Sequence, residues 1–308
     1  MDLDTRLLVD LLLDHKRADR ALGQHFLHDE SVLTAAITAC TDAGAPLDES
    51  SHVLEVGPGA GSLTLALLGT GARITAMEVD AIAIEHLERT FAEPIDDDRL
   101  RLVQTDALHS IWPDVTHIVA NIPYQISSPL LERIQRLPVQ PRVVVLLLQE
   151  EFAHRLAMQA GATDRGPLGL SIWLQHDVTL VLRVPPHCFV PAPRVHSRLV
   201  SLKPASRAIA ADERFDARLF RMLVAHAFER RRQKLRSRLR RPPKRLGRLA
   251  GWHKQRWQEA VASIDSDASA AASFGLPAGL LDDRPESLEP EDWVRLTIAL
   301  AAQQTSAA

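Results

Sequence analysis

Tyrosine, asparagine and cysteine are the scarcest side chains in this sequence of 308 residues, with one tyrosine, Tyr124, one asparagine, Asn121, and two cysteines, Cys40 and Cys188. Two thiols far apart in the chain exclude a disulfide framework and a cysteine-built metal cluster. No apolar run approaches the roughly 20 residues of a membrane helix. The first residues, Met1-Asp2-Leu3-Asp4, lack the basic stretch of a secretory signal. A net charge of −3 implies no general attraction to polyanions. These absences leave a soluble cytoplasmic protein as the expectation; a monomer without metal is also expected. At 46% hydrophobic and 24% charged residues, there is enough chain for two domains with buried cores.

What the total charge hides is its distribution. Between Arg214 and Arg256 sixteen lysines and arginines stand against two acids, Asp216 and Glu229, so that this window carries +14 and the remainder −17. Such asymmetry points to a localised polyanion-binding face. Residues 212–241 read as one basic helix, with Phe220, Leu223, Val224 and Phe228 turned inward. Arg230, Arg231, Arg232, Lys234 and Arg236 face outward, and Pro242-Pro243 ends the run. Charged faces that serve only solvation normally mix signs. This one does not, which favours a phosphate backbone as partner. A membrane surface fits less well, because only Leu235 and Leu239 accompany the later arginines. The change in character places a domain boundary near residue 205, giving domains 1–205 and 206–308. Beyond it, Ser263–Ser273 is low in complexity and Leu288–Ala302 reads as a closing helix.

The first part reads differently. Residues 1–22 and 30–43 have helical spacing. Strand-like runs follow at His52–Val56, Arg73–Val79, Leu100–Gln104, His117–Ala120 and Val143–Leu148, with helical stretches between them; 170–184 and 198–203 are candidate late strands. Alternation at this spacing predicts a mainly parallel α/β sheet.

Three acids and a glycine turn mark a ligand site at the strand ends. Val53–Val56 runs into Gly57-Pro58-Gly59-Ala60-Gly61, where missing Cβ atoms let the backbone approach a ligand. Glu78 ends the next strand, where a carboxylate can accept both hydroxyls of a ribose. Asp106, after the strand that follows, is placed to reach an adenine amine. Glu55, just before the turn, suits neighbouring amides or a cofactor amine. The glycine spacing is Gly-x-Gly-x-Gly, not that of dinucleotide binders, yet alone it would also serve a nicotinamide cofactor or a bland turn. With the acids added, an adenosyl cofactor is favoured.

Asn121-Ile122-Pro123-Tyr124 supplies the chemistry. An exocyclic adenine amine is a poor nucleophile because its lone pair is delocalised into the ring. An amide oxygen from Asn121 and a carbonyl from Ile122 or Pro123 can accept both amine hydrogens and favour a pyramidal nitrogen. Proline stiffens the turn, and Tyr124 can stack on the base. The bland alternative is a proline turn with an asparagine cap and a packed tyrosine.

Taken in order, these residues resemble the ribosomal RNA adenine dimethyltransferase family, small-subunit branch. Gly23–Leu27, Val53–Thr64, Glu78 with Asp80, Asp106–Leu108, Asn121–Tyr124, Gln149–Glu151, Phe189–Ser197 (FVPAPRVHS) and Arg284–Leu288 follow the family's order, as does the basic wording HAFERRRQKLR. The resemblance implies a class I S-adenosylmethionine-dependent methyltransferase domain followed by a smaller helical, RNA-binding domain. The implied reaction is dimethylation of two adjacent adenosines in the 3′-terminal hairpin loop of small-subunit rRNA, on the pre-small ribosomal subunit. His25, Leu27 and Gly57 would hold the cofactor's methionine end, with Gly59 and Gly61 in the same loop. Glu78 and Val79 would bind the ribose side, and Asp106 and Ala107 the adenine. Asn121 would touch cofactor and target, and Phe189 would stack on the target base opposite Tyr124.

The sequence departs from the family pattern at His196, at Glu151 and in the loop Asp164–Gly169, which bears on substrate handling. His25 and His28 form an H-x-x-H pair without further ligands nearby in sequence, so no metal is expected. Cys188 reads as a small buried hydrophobe. The competing readings are a large-subunit rRNA methyltransferase of the macrolide-resistance type and a non-catalytic assembly or transcription factor of the same fold.

Overall fold

The computed structural model describes residues 4–302 except 16, 17, 19–22, 160, 162, 163 and 267. It resolves into two compact units. One comprises Met1–Ala157 with His176–Pro204, the other Met158–Gln175 with Ala205–Ala308. The chain thus changes unit near residue 205, where the composition changes. It also lends residues 158–175 to the second unit, a detour that the sequence reading, with one boundary, does not contain.

Among the described residues the first unit has nine strands: β1 Phe26–Leu27, β2 His52–Val56, β3 Arg73–Glu78, β4 Leu100–Gln104, β5 His117–Asn121, β6 Val143–Gln149, β7 His176–Val184, β8 Phe189–Val190 and β9 Ser197–Pro204. Seven form one sheet in the order β4-β3-β2-β5-β6-β9-β7. The pairs from β4 to β6 are parallel, and β9 runs antiparallel to both β6 and β7. The mainly parallel sheet expected from the alternation is present. Val143–Leu148 in β6 are all buried, as a strand covered on both faces requires. From β2 the chain winds outward to β4, then returns to the other side of β2 as β5. That reversal opens a crevice at the carboxyl ends of β2 and β5, where doubly wound sheets take their ligands.

Local signals set the helix starts. Asp29 accepts from the amides of Ser31 and Val32 and opens the helix Glu30–Asp42; Asp80 accepts from Ile82 and opens Ala81–Thr90. The first expected helix is seen as Thr5–His15; the rest of 1–22, apart from residues 4 and 18, lies outside the described residues. Residues 170–173 belong to the helix Pro167–Trp173, not to a strand.

The second unit gathers helices around Trp257, Trp293 and Phe220, all fully buried. Within the low-complexity stretch, Ser263–Ser266 ends the helix Lys254–Ser266 and Ala268–Ser273 forms the next. One expectation is corrected here. The basic segment is not one helix: Ala217–Phe228 is helical, the chain then turns, and a short helix spans Leu235–Leu239. The turn has a physical reason. Leu235 and Leu239 are both fully buried, and the turn carries them into the core while Arg238 Nε donates to the carbonyl of His226, in the last turn of the first helix. The closing helix runs Pro290–Ala302. Among the described residues, no helix is long and apolar enough to cross a membrane.

Candidate active site

An open cavity of about 250 Å³ lies at the carboxyl ends of β2, β3 and β5 and against β1. Most of the expected ligand residues line it: His25, Leu27, Glu55, Gly57, Gly59, Glu78, Val79, Asp106, Ala107, Asn121 and Tyr124. Gly61 and Phe189 do not.

The glycines divide the work of the turn. Gly57, Gly59 and Gly61 all have positive φ, at 69°, 56° and 88°. A Cβ on Gly61 would lie 2.5 Å from Phe91 and 2.8 Å from Leu87, so Gly61 lets the loop pack on the protein's own core. At Gly57 the nearest atom to such a Cβ is Pro123 Cδ at 3.8 Å, and the space in front is the cavity.

Two buried carboxylates face this space. Glu78, 6% exposed, holds the amides of Val79 (2.8 Å) and Asp80 (3.0 Å) on Oε1, and that of Gly59 (3.2 Å) on Oε2. A carboxylate offers about four acceptor positions, so Oε2 has capacity for a ligand hydroxyl. Burial raises the Glu78 pKa against the lowering effect of these amides. Glu55, 1% exposed, accepts from Thr64 Oγ1 at 2.7 Å, and burial pushes its pKa up to about 8. Asp106 is partly exposed. It accepts from Leu108 N (2.8 Å) and His109 Nδ1 (2.7 Å), and the His109 bond is the main cause of its lowered pKa.

The tetrapeptide closes the wall. Asn121 ends β5 and its Nδ2 donates to the carbonyl of His25 at 3.1 Å. That bond fixes which way the amide points, and among the described residues its Oδ1 has no partner. Tyr124 is anchored through a 2.6 Å hydrogen bond between its hydroxyl and Ser197 Oγ, and burial raises its pKa, keeping it a neutral phenol. Its ring stacks on His25, centroids 5.9 Å apart, and His25 Nδ1 lies 2.7 Å from the carbonyl oxygen of Pro191.

Phe189 lies in β8. It pairs with Leu27 in the antiparallel β1–β8 ladder and is 3% exposed, inside the apolar cluster of the first unit. The ring against Tyr124 is that of His25. In this structure the FVPAP segment uses the Phe189 side chain to fasten β8 down. The sequence motifs do not reveal Ser197 and Thr64 as partners of Tyr124 and Glu55. Both lie in recognised motifs, but nothing in one sequence links Ser197 to a tyrosine 73 residues away.

The positions that depart from the family pattern make local contacts. Arg165 forks onto both oxygens of Glu289 at 2.5 Å and donates to the carbonyls of Ser287 and Leu288 at 3.0 Å, all within the second unit. Glu151 pairs with Arg155, and the His196 carbonyl accepts from Glu150 N. The fold also brings Asp29, His187 and Cys188 together, a grouping that His25 and His28 do not join. Asp29 Oδ1 caps its helix and Oδ2 accepts from the Cys188 thiol at 3.4 Å; burial pushes that thiol up to about 11.

The basic segment is not uniformly unneutralised. Arg231 pairs with Glu286, Lys234 with Asp282, Arg236 with Asp265 and Asp282, and Arg238 with Glu229. Arg230, Arg232, Arg240 and Lys244 are exposed and, among the described residues, make no ion pair.

Comparison with known proteins agrees with this geometry. A family model described as ribosomal RNA adenine dimethylase matches residues 15–249. The ribosomal RNA small subunit methyltransferase A of Gloeobacter violaceus is 34% identical over 290 residues, 92% of this chain and 93% of that one. The probable ribosomal RNA small subunit methyltransferase A of Haloarcula marismortui is 43% identical over 189 residues, 61% of this chain and 64% of that one. A dimethyladenosine transferase from Plasmodium falciparum superposes with a TM-score of 0.68 at 23% identity, covering 88% of this chain and 95% of that one; at that identity it establishes the shared fold. With the matched model spanning most of the sequence and the cleft built as described, the chain belongs to the ribosomal RNA adenine dimethylase family.

Proposed function

We propose that the chain uses S-adenosylmethionine to dimethylate two adjacent adenosines in the 3′-terminal hairpin loop of small-subunit rRNA, acting as a monomer on the pre-small ribosomal subunit in the cytoplasm. The observation that carries this reading is Asn121. Its amide is oriented by the His25 carbonyl so that Oδ1 points to no protein donor at the cavity wall, beside the stiff Pro123 turn. An acceptor held in that way suits one hydrogen of an incoming adenine amine and aims the nitrogen lone pair into the cleft. No strong base is needed, because the nitrogen sheds its proton after it becomes cationic.

The cavity residues fit the cofactor. Bound there, S-adenosylmethionine supplies an electrophilic methyl on a sulfonium. Gly57 would give its methionine end close approach to backbone, Glu55 a buried carboxyl group whose ionisation a nearby ammonium would favour, Glu78 Oε2 an acceptor for a ribose hydroxyl, and Asp106 with Ala107 the wall for the adenine. The glycine turn does not have the Gly-x-Gly-x-x-Gly spacing that cradles a pyrophosphate, which weighs against NAD. Relatives named as small subunit methyltransferases align over more than nine-tenths of both chains at 34–35% identity, which supports the small-subunit over the large-subunit substrate.

The test is calorimetry with S-adenosylmethionine and with NAD, followed by transfer of labelled methyl groups to isolated small and large subunits. Binding of S-adenosylmethionine alone and label confined to small-subunit rRNA are expected. Binding of NAD only, or label in large-subunit rRNA, would overturn the reading.

A further inference from the structure

Asp106 sits on a loop, partly exposed, and a loop carboxylate needs something to hold it if it is to select an adenine. The structure supplies a chain of restraints. The peptide unit between Ala107 and Leu108 is gripped at both ends: its N–H donates to Asp106 Oδ1 at 2.8 Å, and its carbonyl accepts from Trp112 Nε1 at 2.8 Å. The Trp112 indole is itself covered by the guanidinium of Arg133, whose Cζ lies 4.5 Å from the ring centroid. The same guanidinium reaches two further carbonyls of the loop, donating from Nη1 to Leu108 O at 2.5 Å and from Nη2 to Ser110 O. Arg133 belongs to the helix Ser127–Ile134, which begins directly after the turn Tyr124–Ile126 of the tetrapeptide.

We propose that Arg133 is a positioning residue for cofactor recognition: it clamps the loop Asp106–Trp112 to the helix that follows the catalytic tetrapeptide, and so fixes the Asp106 carboxylate and the Ala107 backbone at the adenine end of the cleft. The planar fork suits the task. One group binds two carbonyls in its plane and presents its face to an indole, which an ammonium cannot do. Arg133 touches no reacting atom in this scheme. Its effect is on how well the adenosyl end is held, so it should appear in cofactor affinity and not in the rate at saturating cofactor. The inference rests on the reading of the cavity as an S-adenosylmethionine site.

The test compares the wild-type chain with Arg133→Met, Arg133→Lys and Trp112→Phe. Two measurements are made: amide hydrogen exchange without cofactor, and titration with S-adenosylmethionine alongside steady-state methyl transfer. For Arg133→Met, faster exchange confined to residues 107–112 is expected. So is a rise of about tenfold in both Kd and KM for S-adenosylmethionine, with kcat and the KM for RNA within about twofold, as loss of charge-assisted hydrogen bonds to one loop implies. Arg133→Lys keeps the charge over the indole but not the fork and should fall between; Trp112→Phe should shift Kd in the same direction by less. Unchanged exchange, or unchanged cofactor affinity in folded Arg133→Met, would overturn the clamp. So would a fall in kcat that tracks a fall in Tm across the three variants, since that marks a merely structural residue. Failure of the wild-type chain to bind S-adenosylmethionine at all would instead remove the cofactor reading and the inference with it.

Discussion

The cleft and the basic segment, the two regions proposed to carry function in this chain, spend their polar groups in opposite ways. In the cleft, polar atoms are held by backbone and neighbours and still have capacity in reserve: Oε2 of Glu78, Oδ1 of Asn121, the open side of Gly57. In the basic segment the charges divide. Four cations, Arg231, Lys234, Arg236 and Arg238, are paired with acids of their own unit, and others such as Arg230 and Arg232 stand exposed and, among the described residues, without an ion pair. A ligand site is pre-built in the first region. In the second, exposed cations are interleaved with groups that hold the domain together. Counting charges along a sequence does not separate those two uses.

The sharpest way to break the comparison is Asn121→Ala. Removing a positioned hydrogen-bonding group of this kind costs about 10²–10³ in rate, and the side chain is not part of a packed core, so the melting temperature should hold. Methyl transfer from labelled cofactor checks it; near wild-type turnover by the folded variant would remove Asn121 from the chemistry. Next in size is Phe189→Ala. A buried phenylalanine in the β1–β8 ladder should cost about 3–5 kcal/mol of stability when truncated, and Phe189→Leu should regain much of it. Denaturant melts measure this. A Phe189→Ala variant that melts like the wild type yet loses methylation would restore the stacking role that burial argues against.

Legibility followed range. The strands, the glycine turn, Glu78, Asp106 and the tetrapeptide are short, local patterns whose meaning depends on period and spacing, and the fold places them where their order implies. What was not legible depended on distant partners. The FVPAP wording does not reveal that Phe189 is buried in a ladder with Leu27, and Ser197 becomes the anchor of Tyr124 only when β9 is in place. The basic run reads as one helix because its spacing is helical throughout. Burial of Leu235 and Leu239 overrides that, and the neutralising acids Asp265, Asp282 and Glu286 lie tens of residues away.

The arginines give a smaller, graded effect. Reversal of the exposed Arg230, Arg232 and Arg240 to Glu should weaken binding to small-subunit rRNA and lower the slope of log affinity against log salt, by up to about 0.7–0.9 for each phosphate that is no longer neutralised. Reversal of Arg231 and Arg236 should instead be read mainly in stability, because their pairing with Glu286, Asp265 and Asp282 is broken. Each exposed pair is worth no more than about 1 kcal/mol. Binding isotherms at several salt concentrations decide it; equal salt slopes for the two sets would erase the division.

The smallest effect concerns Glu55. Its folded pKa of about 8 lies above the ordinary 4.5, so the folded chain keeps a proton that the unfolded chain loses first. Stability from this group is therefore greatest below pH 4.5, declines as pH rises towards 8, and is level beyond. Glu55→Gln should flatten the fall of Tm across that window, leaving the part due to Glu78, whose pKa is raised in the same direction. A slope as steep as the wild type's would show that Glu55 does not carry the proton.

The central claim is that the cleft delivers methyl groups to the exocyclic amines of adjacent small-subunit adenosines, and mass mapping of rRNA tests it most directly. Small subunits lacking these methyl groups are incubated with the chain and S-adenosylmethionine, and the rRNA is digested and mapped nucleotide by nucleotide. Two methyl groups on each of two neighbouring adenosines in the 3′-terminal hairpin loop are expected, absent with Asn121→Ala. Methylation elsewhere, at a ring nitrogen, or undiminished in the Asn121→Ala variant would contradict the account.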